Sequence, residues 1–504
     1  MSDVILFRPK VLKGKAKVIR PRPPLGLLFI AAPLVKNNYD VKIIDEESSF
    51  CWQDELGAAL NSSTICVGIT SMTGNQISNA LKFSRIVKDR FNIPVVWGGL
   101  HATMLPEQTI KNNLVDIVVK GEGEESFLRI VTALKCRESL NNIPNVWWKE
   151  GSTVHSNDMS RRFININEIS PLPYHLLNCE SYINVKRSSH PNCKRIFDLH
   201  TDRGCPHRCG FCYNINMNER IWRAFTADRI VEQIEYLIKN FSLDGINFLG
   251  DNFFVDKKRV IDICNEIVKR NIKFIWHADC RIDYFAKYDN SFIDLLKKSG
   301  CKVLTFGVES GSQKILNLIN KDINLDDVFK VNEKLKKWQI GVNYHFMAGF
   351  PEETKEDLIQ TYRVMLKLCD KYPGALFLGP SIYTPYPGTP LFDKCIEMGF
   401  GPPDKLEDWA EFGWTENTRL PFIEPNYSRW LMRTVNVVNG VNVLKRIFDL
   451  KWIRQWFKIR IKFIIEFNII GPQVEERLIN LAETVITIIK NLGNYKKFSP
   501  RLHH

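Results

Sequence analysis

The apolar positions of residues 1–135 fall in short β-branched runs, separated by longer stretches whose apolar residues recur at helical spacing. VILF (4–7), VKIID (41–45), ICVGIT (65–70), PVVWGG (94–99) and DIVVKG (116–121) read as strands; Leu25–Leu34, Gln76–Phe91 and Glu124–Leu134 read as helices. Strands that alternate with helices predict an α/β fold with a parallel, Rossmann-like sheet covered on both faces. Residues 141–190 lose the period, carry Ser170-Pro-Leu-Pro-Tyr174 and read as a linker. A second series follows, with strands RIFDLH (195–200), GINFLG (245–250), KFIWHA (273–278), KVLTFG (302–307), GVNYHFMAGF (341–350) and ALFLGP (375–380). Helical patterns lie between them near 227–240, 257–270, 291–299, 325–338 and 354–370. Six such units predict a barrel or partial (β/α)6 barrel with its active site at the strand carboxyl ends. The breaks divide the chain into 1–140, 141–190, 191–415 and a helical C-terminal segment, 416–504.

Between Val441 and Ile470, Lys451, Arg454, Lys458 and Lys462 share one helical stripe and Trp452, Trp456, Ile459 and Phe463 another. Phe457 to Phe463 also alternates as a strand does. Gly471-Pro472 ends the stretch, and a last helix is expected over Val474–Asn491. A basic amphipathic helix can lie on a membrane surface or cover a barrel, and both readings stay open. Pro23–Val35 follows basic residues as a signal peptide would, but apolar strands flank it, so it reads as a core helix. No uninterrupted run of about 18 apolar residues occurs, and no spanning helix is expected.

In parallel α/β sheets ligands bind at the carboxyl ends of the strands. Here those ends hold Ser71-Met-Thr73-Gly74, Gly98-Gly99-Leu-His101-Ala-Thr103 and Gly121-Glu122-Gly123-Glu124. Glycine lets the backbone approach a large flat ligand, and the helix starts behind it offer free N–H groups. One such turn is an ordinary connection; three at successive strand ends point to a binding surface.

At 504 residues the chain exceeds one ordinary core, so two or three domains are expected. The net charge of +13 does not separate nucleic acid, anionic membrane or plain lysine richness. Thirteen cysteines, an odd number without a small-domain disulfide pattern, fit a reducing cytosol. A cytoplasmic protein is expected, membrane-associated if the C-terminal helix binds lipid.

The densest chemistry is Gly204-Cys-Pro-His-Arg-Cys-Gly-Phe-Cys-Tyr213. Cys205, Cys209 and Cys212 can supply three thiolates to one iron–sulfur cluster, leaving one iron of a 4Fe-4S cluster open to bind a small molecule and pass it an electron. A zinc site usually takes four protein ligands and a second Cys pair, which is missing, although His207 could nominally be a fourth.

CPHRCGFC resembles the cluster motif of radical S-adenosylmethionine (SAM) enzymes, and the six-unit series is similar to their partial barrel. The resemblance implies that Cys205, Cys209 and Cys212 hold the cluster while SAM chelates the fourth iron, with Phe211 beside the adenine. Gly250-Asp251-Asn252 resembles the motif that receives the SAM amino group, departing from the commoner Gly-Gly-Glu. Glu309 and Ser310, in Gly307-Val-Glu-Ser-Gly-Ser312, match the family's ribose or carboxylate contact, and Arg281 could pair with the SAM carboxylate. Such strand-end charges are also often structural ion pairs. Turns 348–351 and 386–389 could bound the pocket. The front domain, through PPLGLLFIAA, VGITSMTGNQI, VVWGGLHATMLPE and DIVVKGEGEESF, resembles the cobalamin-binding domain of the cobalamin-dependent radical SAM class. The chain lacks the Asp-x-His-x-x-Gly run whose His ligates cobalt, so the resemblance implies cobalamin without a His ligand. For His101, the one histidine of the ligand loops, capping or turn packing is the expected role.

The resemblance implies an enzyme that cleaves SAM reductively to a 5′-deoxyadenosyl radical, fed by an external one-electron donor such as flavodoxin or ferredoxin, and methylates an unactivated carbon. The rival within the class is an oxidative cyclase similar to the anaerobic magnesium-protoporphyrin monomethyl ester cyclase. A tRNA methylthiotransferase would bring a cysteine triad in front, where only Cys51 and Cys66 stand, and an RNA-binding β-barrel behind; no nucleic-acid partner is expected. A cobalamin or cluster sensor would need an effector domain. The aromatic C-terminal segment suggests a small hydrophobic substrate, a lipid, isoprenoid or tetrapyrrole, and a peptide or antibiotic precursor stays open beside it.

Overall fold

The computed structural model describes residues 2–11, 21–91, 93–157, 163–183, 193–412, 420–448 and 451–467. The chain divides into two compact units, one of residues 1–304, 319–321 and 384–421, the other of 305–318, 322–383 and 422–504.

The first unit opens with β1 (Val4–Arg8), β2 (Val41–Asp45), β3 (Cys66–Thr70), β4 (Val95–Gly98), β5 (Ile117–Val119), β6 (Val146–Glu150) and β7 (Thr153–Asn157). They form one sheet in the order β2-β1-β3-β4-β5-β6-β7. The first five strands are parallel, with Val4 opposite Val41 on one side and Cys66 on the other; β6 and β7 add an antiparallel edge. Strands β1, β3 and β4 are almost wholly buried, which is why they read as continuous apolar runs. Phe7 of β1 stacks on Phe83 of helix Asn75–Phe91 with ring centroids 4.0 Å apart, and helix Leu25–Lys36 buries Leu27, Leu28, Phe29 and Ala31 as a core helix should. Because β1 leads outward to β2 while β3 starts the walk to β5, the winding reverses between β1 and β3, where a crevice opens at the strand ends.

The edge hairpin lies in the stretch that reads as linker. Val146, Trp147 and Trp148 are all buried, so no alternation marks β6, and the turn depends on Gly151 at φ +62°.

The first unit continues with β8 (Ile196–His200), β9 (Asp202–Arg203), β10 (Arg223–Ala224), β11 (Gly245–Leu249), β12 (Ile275–Cys280) and the start of β13 (Cys301–Glu309). Strand β11 pairs in parallel with β8 and β12, Gly245 lying opposite Ile196 and Ile275, while β9 and β10 make a small antiparallel pair. Helices Ala227–Phe241, Lys257–Lys269 and Asn290–Lys298 start where Thr226, Asp256 and Asp289 accept the N–H of Arg229, Arg259 and Phe292. Each such cap is worth about 1 kcal/mol.

The second unit holds the end of β13, β14 (Gly341–Ala348) and β15 (Leu376–Ile382), the last two parallel. Its helix Lys355–Lys371 opens with a capping box between Thr354 and Asp357. Strands β8, β11, β12, β13, β14 and β15, each followed by a helix, are the six expected barrel units. The C-terminal segment is helical over Pro425–Phe448 and Lys451–Phe467, and the strand-like alternation at Phe457–Phe463 does not form a strand. Phe457, Ile461 and Ile464 face inward, whereas Ile459 and Phe463 are 38% and 44% exposed and Lys458 pairs with Asp370 at 2.5 Å. The helix expected over Val474–Asn491 lies outside the described residues. Among the described residues, no helix is long and apolar enough to cross a membrane.

Candidate active site

The cysteine run leaves β9 through Gly204, at φ +84°, where a Cβ would run into the Ile221 carbonyl; only glycine makes this turn. The loop is then held from several sides. The Gly210 N–H donates to the Ile319 carbonyl at 2.8 Å, and the Gly210 carbonyl accepts the Leu391 N–H at 2.9 Å. Asp251, just past β11, accepts the Gly204 N–H at 2.6 Å, and the Asn252 amide donates to the Cys205 sulfur at 3.4 Å. Arg281, just past β12, donates to Asp283 at 2.8 Å, to the Lys321 carbonyl at 2.7 Å and to the Cys209 sulfur at 3.8 Å. Lys321 lies 5.8 Å from the Phe211 ring.

All three thiols are free, Cys209 buried and the other two partly exposed. Burial raises the Cys205 thiol and pushes Cys212 up to about 12, so thiolates in this loop need strong positive charge beside them. Iron would supply that charge. Three thiols with no second Cys pair fit a cluster, which spreads its thiolates over separate irons, better than the four-ligand set of a zinc site.

Two cavities of the first unit adjoin this loop. The first, of about 300 Å³, is lined by Gly26, Gly68, Gly98, Gly121, Glu122 and Phe127, among others. A Cβ on Gly26 or Gly121 would meet nothing within 4 Å, so these glycines leave open space. The second, of about 240 Å³, lies where Val11 follows β1 and the 72–76 turn follows β3, the place at which the winding reverses. Phe211 and Tyr213 of the cysteine run, Met104 and Tyr386 also line it, and among the described residues no charged side chain does.

The expected binding residues take different places. Gly98, Gly99, Gly121, Glu122 and Gly123 line the first cavity, as does Asp251; Thr73 and Gly74 line the second. Thr103 ties two loops together, donating to the Gly99 carbonyl at 2.7 Å and accepting the Gly121 N–H at 3.0 Å. Ser71 is fully buried. His101 is a packing residue: its Nδ1 lies 2.9 Å from the Thr73 hydroxyl, its ring packs edge-on to Trp409, and burial lowers it to about 3, keeping it neutral. Gly250 stands where any Cβ would run into the Asp202 carboxylate. In the second unit, Glu309 has a left-handed backbone at φ +69°, and Ser310 is fully buried, its hydroxyl accepting the Ser312 N–H at 3.1 Å.

A family described as the radical SAM superfamily matches residues 200–365, and one described as the B12 binding domain matches residues 15–131. An uncharacterized methyltransferase of Pyrococcus horikoshii is 33% identical over 400 residues, covering 79% of this chain and 83% of that protein. The chain belongs to the cobalamin-binding radical SAM family. Another relative is the anaerobic magnesium-protoporphyrin IX monomethyl ester cyclase of Rubrivivax gelatinosus, 26% identical over 84% of this chain and 74% of the relative. The fold is that of the cobalamin-dependent SAM radical enzyme OxsB, solved with aqua-cobalamin and SAM bound: TM-score 0.71, 16% identity, covering 100% of this chain and 82% of that one.

Membership in the cobalamin-binding radical SAM family brings a 4Fe-4S cluster, SAM and cobalamin as cofactors. The free thiols and the glycine-walled cavity fit them. Three contributors escape the motif reading. Arg203 and Arg223, on β9 and β10, clasp Glu122 at 2.7 and 2.8 Å, and Arg203 also binds Glu124 at 2.6 Å. Glu122 is thus an ion-pair hub at the cavity wall; Asp-Arg directly ahead of Gly204-Cys205 is the one local hint of it. Tyr213, one residue past the last cysteine, lines both cavities.

Cobalamin binding by the first cavity has a steric test. Gly26→Leu fills the open space with a side chain that helix Leu25–Lys36 accommodates. Overfilling typically costs about 1–3 kcal/mol, or roughly 5- to 150-fold in affinity. Visible absorbance should show weakened cobalamin binding with iron content unchanged; full-strength binding would place the corrinoid elsewhere.

Proposed function

We propose that this family member is a methyltransferase that transfers a methyl group to an unactivated carbon of a small, largely apolar molecule. The observation that carries this reading is the second cavity, with no charged side chain in its wall among the described residues, bounded on one side by the cysteine run and on the other by the 72–76 turn of the front domain. When bound, the reduced cluster supplies the electron that cleaves SAM to a 5′-deoxyadenosyl radical, and cobalamin supplies a transferable methyl group.

The chain's own part is positioning. Phe211 and Tyr213 present aromatic surface to the pocket, with Met72 and Met104 as adaptable apolar walls. Walls of this kind favour a neutral hydrocarbon-like surface, such as that of a lipid, isoprenoid or tetrapyrrole, over nucleotides and charged peptides. Such a wall also keeps water from a reactive radical. The electron comes from an external one-electron donor such as flavodoxin or ferredoxin. Free cysteines throughout support a cytoplasmic location, and exposed Ile459 and Phe463 beside Lys462 suit peripheral contact with an anionic membrane.

Cells fed methionine bearing a deuterated methyl group test the reading. A metabolite that gains three deuterons, and that disappears when the gene is deleted, is the expected result. A gene-dependent product that is ring-closed or oxidised and unlabelled would replace methyl transfer by cyclase chemistry.

A further inference from the structure

Asp202 is fully buried beside the cysteine run and has no part in the cofactor motifs. Its Oδ1 accepts the Asn252 N–H at 2.8 Å and its Oδ2 accepts the Thr201 hydroxyl at 2.7 Å. Gly250 lacks the Cβ that would collide with this carboxylate. The Arg259 guanidinium, also buried, donates to the Thr201 carbonyl at 2.8 Å and to the Phe225 carbonyl at 2.7 Å, fixing the strand ends around the acid. From the turn held in this way, the Asn252 side chain reaches the Cys205 sulfur at 3.4 Å. Trp222 holds the other side of the same residue, donating to the Asn252 carbonyl at 3.0 Å.

We infer that Asp202 is a positioning residue of the cluster: through the Asn252 backbone it holds the Asn252 amide against the Cys205 sulfur and so sets the potential at which the cluster accepts its electron. The inference rests on Cys205 being a cluster ligand. A hydrogen bond to a ligand sulfur withdraws electron density from it and raises the reduction potential. Asp202 touches neither SAM nor substrate in this role. Its effect passes through the turn, and the turn's usefulness depends on Gly250 leaving room for the acid. The triplet 250–252 thereby serves the cluster through three different devices: a missing side chain at Gly250, a carboxylate on Gly204 from Asp251, and an amide on sulfur from Asn252.

The test is an EPR-monitored redox titration of the anaerobically reconstituted full chain without SAM. Iron and sulfide content of the wild type verifies the cluster independently of this inference. Asn252→Ala should move the midpoint to a more negative value than the wild type. Asp202→Asn removes the charge of the acid but retains an oxygen to accept the Asn252 N–H, so it is the reference for Asp202→Ala, which should lie more negative than Asp202→Asn by a similar amount. Adding Asn252→Ala to Asp202→Ala should move the midpoint no further, because both break the same contact. A midpoint in Asn252→Ala equal to the wild type, one in Asp202→Ala equal to Asp202→Asn, or additive shifts overturn the inference. Loss of iron from Asp202→Ala with iron retained in Asn252→Ala also overturns it, assigning the acid to the fold of the loop alone.

Discussion

Anaerobic reconstitution of Cys209→Ala is expected to yield a folded protein that lacks a complete cluster and makes 5′-deoxyadenosine at no more than the level of iron-free protein. Cys209 is the most buried of the three thiols, 8% exposed, and the one that Arg281 faces. Removing its sulfur leaves the other two without the third bond that closes the ligand set. Loss of an outer partner of a metal ligand costs about 10- to 100-fold, so loss of a ligand should exceed about 100-fold in SAM cleavage. The small cavity left behind costs little in fold. Iron and sulfide analysis with chromatographic detection of 5′-deoxyadenosine decides the matter, and a variant that still cleaves SAM at the wild-type rate would remove Cys209 from the cluster.

The second large effect is expected at Glu122. Its carboxylate is about 10% exposed and clasped by Arg203 and Arg223, each about 15% exposed. Burial would raise its pKa, but the charge of Arg203 and the hydrogen bonds and charge of Arg223 outweigh burial and hold it below the ordinary 4.5. Breaking a buried pair by neutralising one member costs about 3–5 kcal/mol, and Glu122→Gln should lie near the lower end because Arg203 keeps Glu124 and Arg223 keeps Asn218. The pH dependence has a definite sign. A carboxylate with a depressed folded pKa binds fewer protons in the native than in the unfolded state, so its contribution is complete above 4.5 and is lost as pH falls through the folded value. Melting curves of wild type and Glu122→Gln should differ most near neutrality and converge in acid. A gap independent of pH would show that the charge of Glu122 is not what stabilises this wall.

These effects divide along a line that also marks how far the chain could be read as a string of residues. The central strands of the front domain announce themselves, since burial on both faces leaves unbroken apolar runs such as Val4–Phe7, and barrel helices such as Ala227–Phe241 announce themselves through the helical spacing of their apolar residues. Cys205, Cys209 and Cys212 are legible as candidate ligands because thiol spacing is a local feature of the chain. The hairpin β6–β7 is not legible, because two adjacent buried tryptophans hide the alternation a strand should show. Nor is the Glu122 network, whose partners Arg203 and Arg223 stand 81 and 101 positions away. His101 is legible only as a turn residue: nothing local tells that Thr73 holds its Nδ1. Asp202 lies three residues before Cys205, yet the room for its carboxylate depends on a glycine past the next barrel strand. Local chemistry survives in one dimension; partnerships between distant segments need the fold.

Tyr213 connects the thiol run with both cavities. It is the residue after Cys212, and its ring walls both cavities of the front unit. The same short segment that carries the three thiols therefore also walls two cavities, so a change in its backbone course would be felt at the thiols and in both cavities at once.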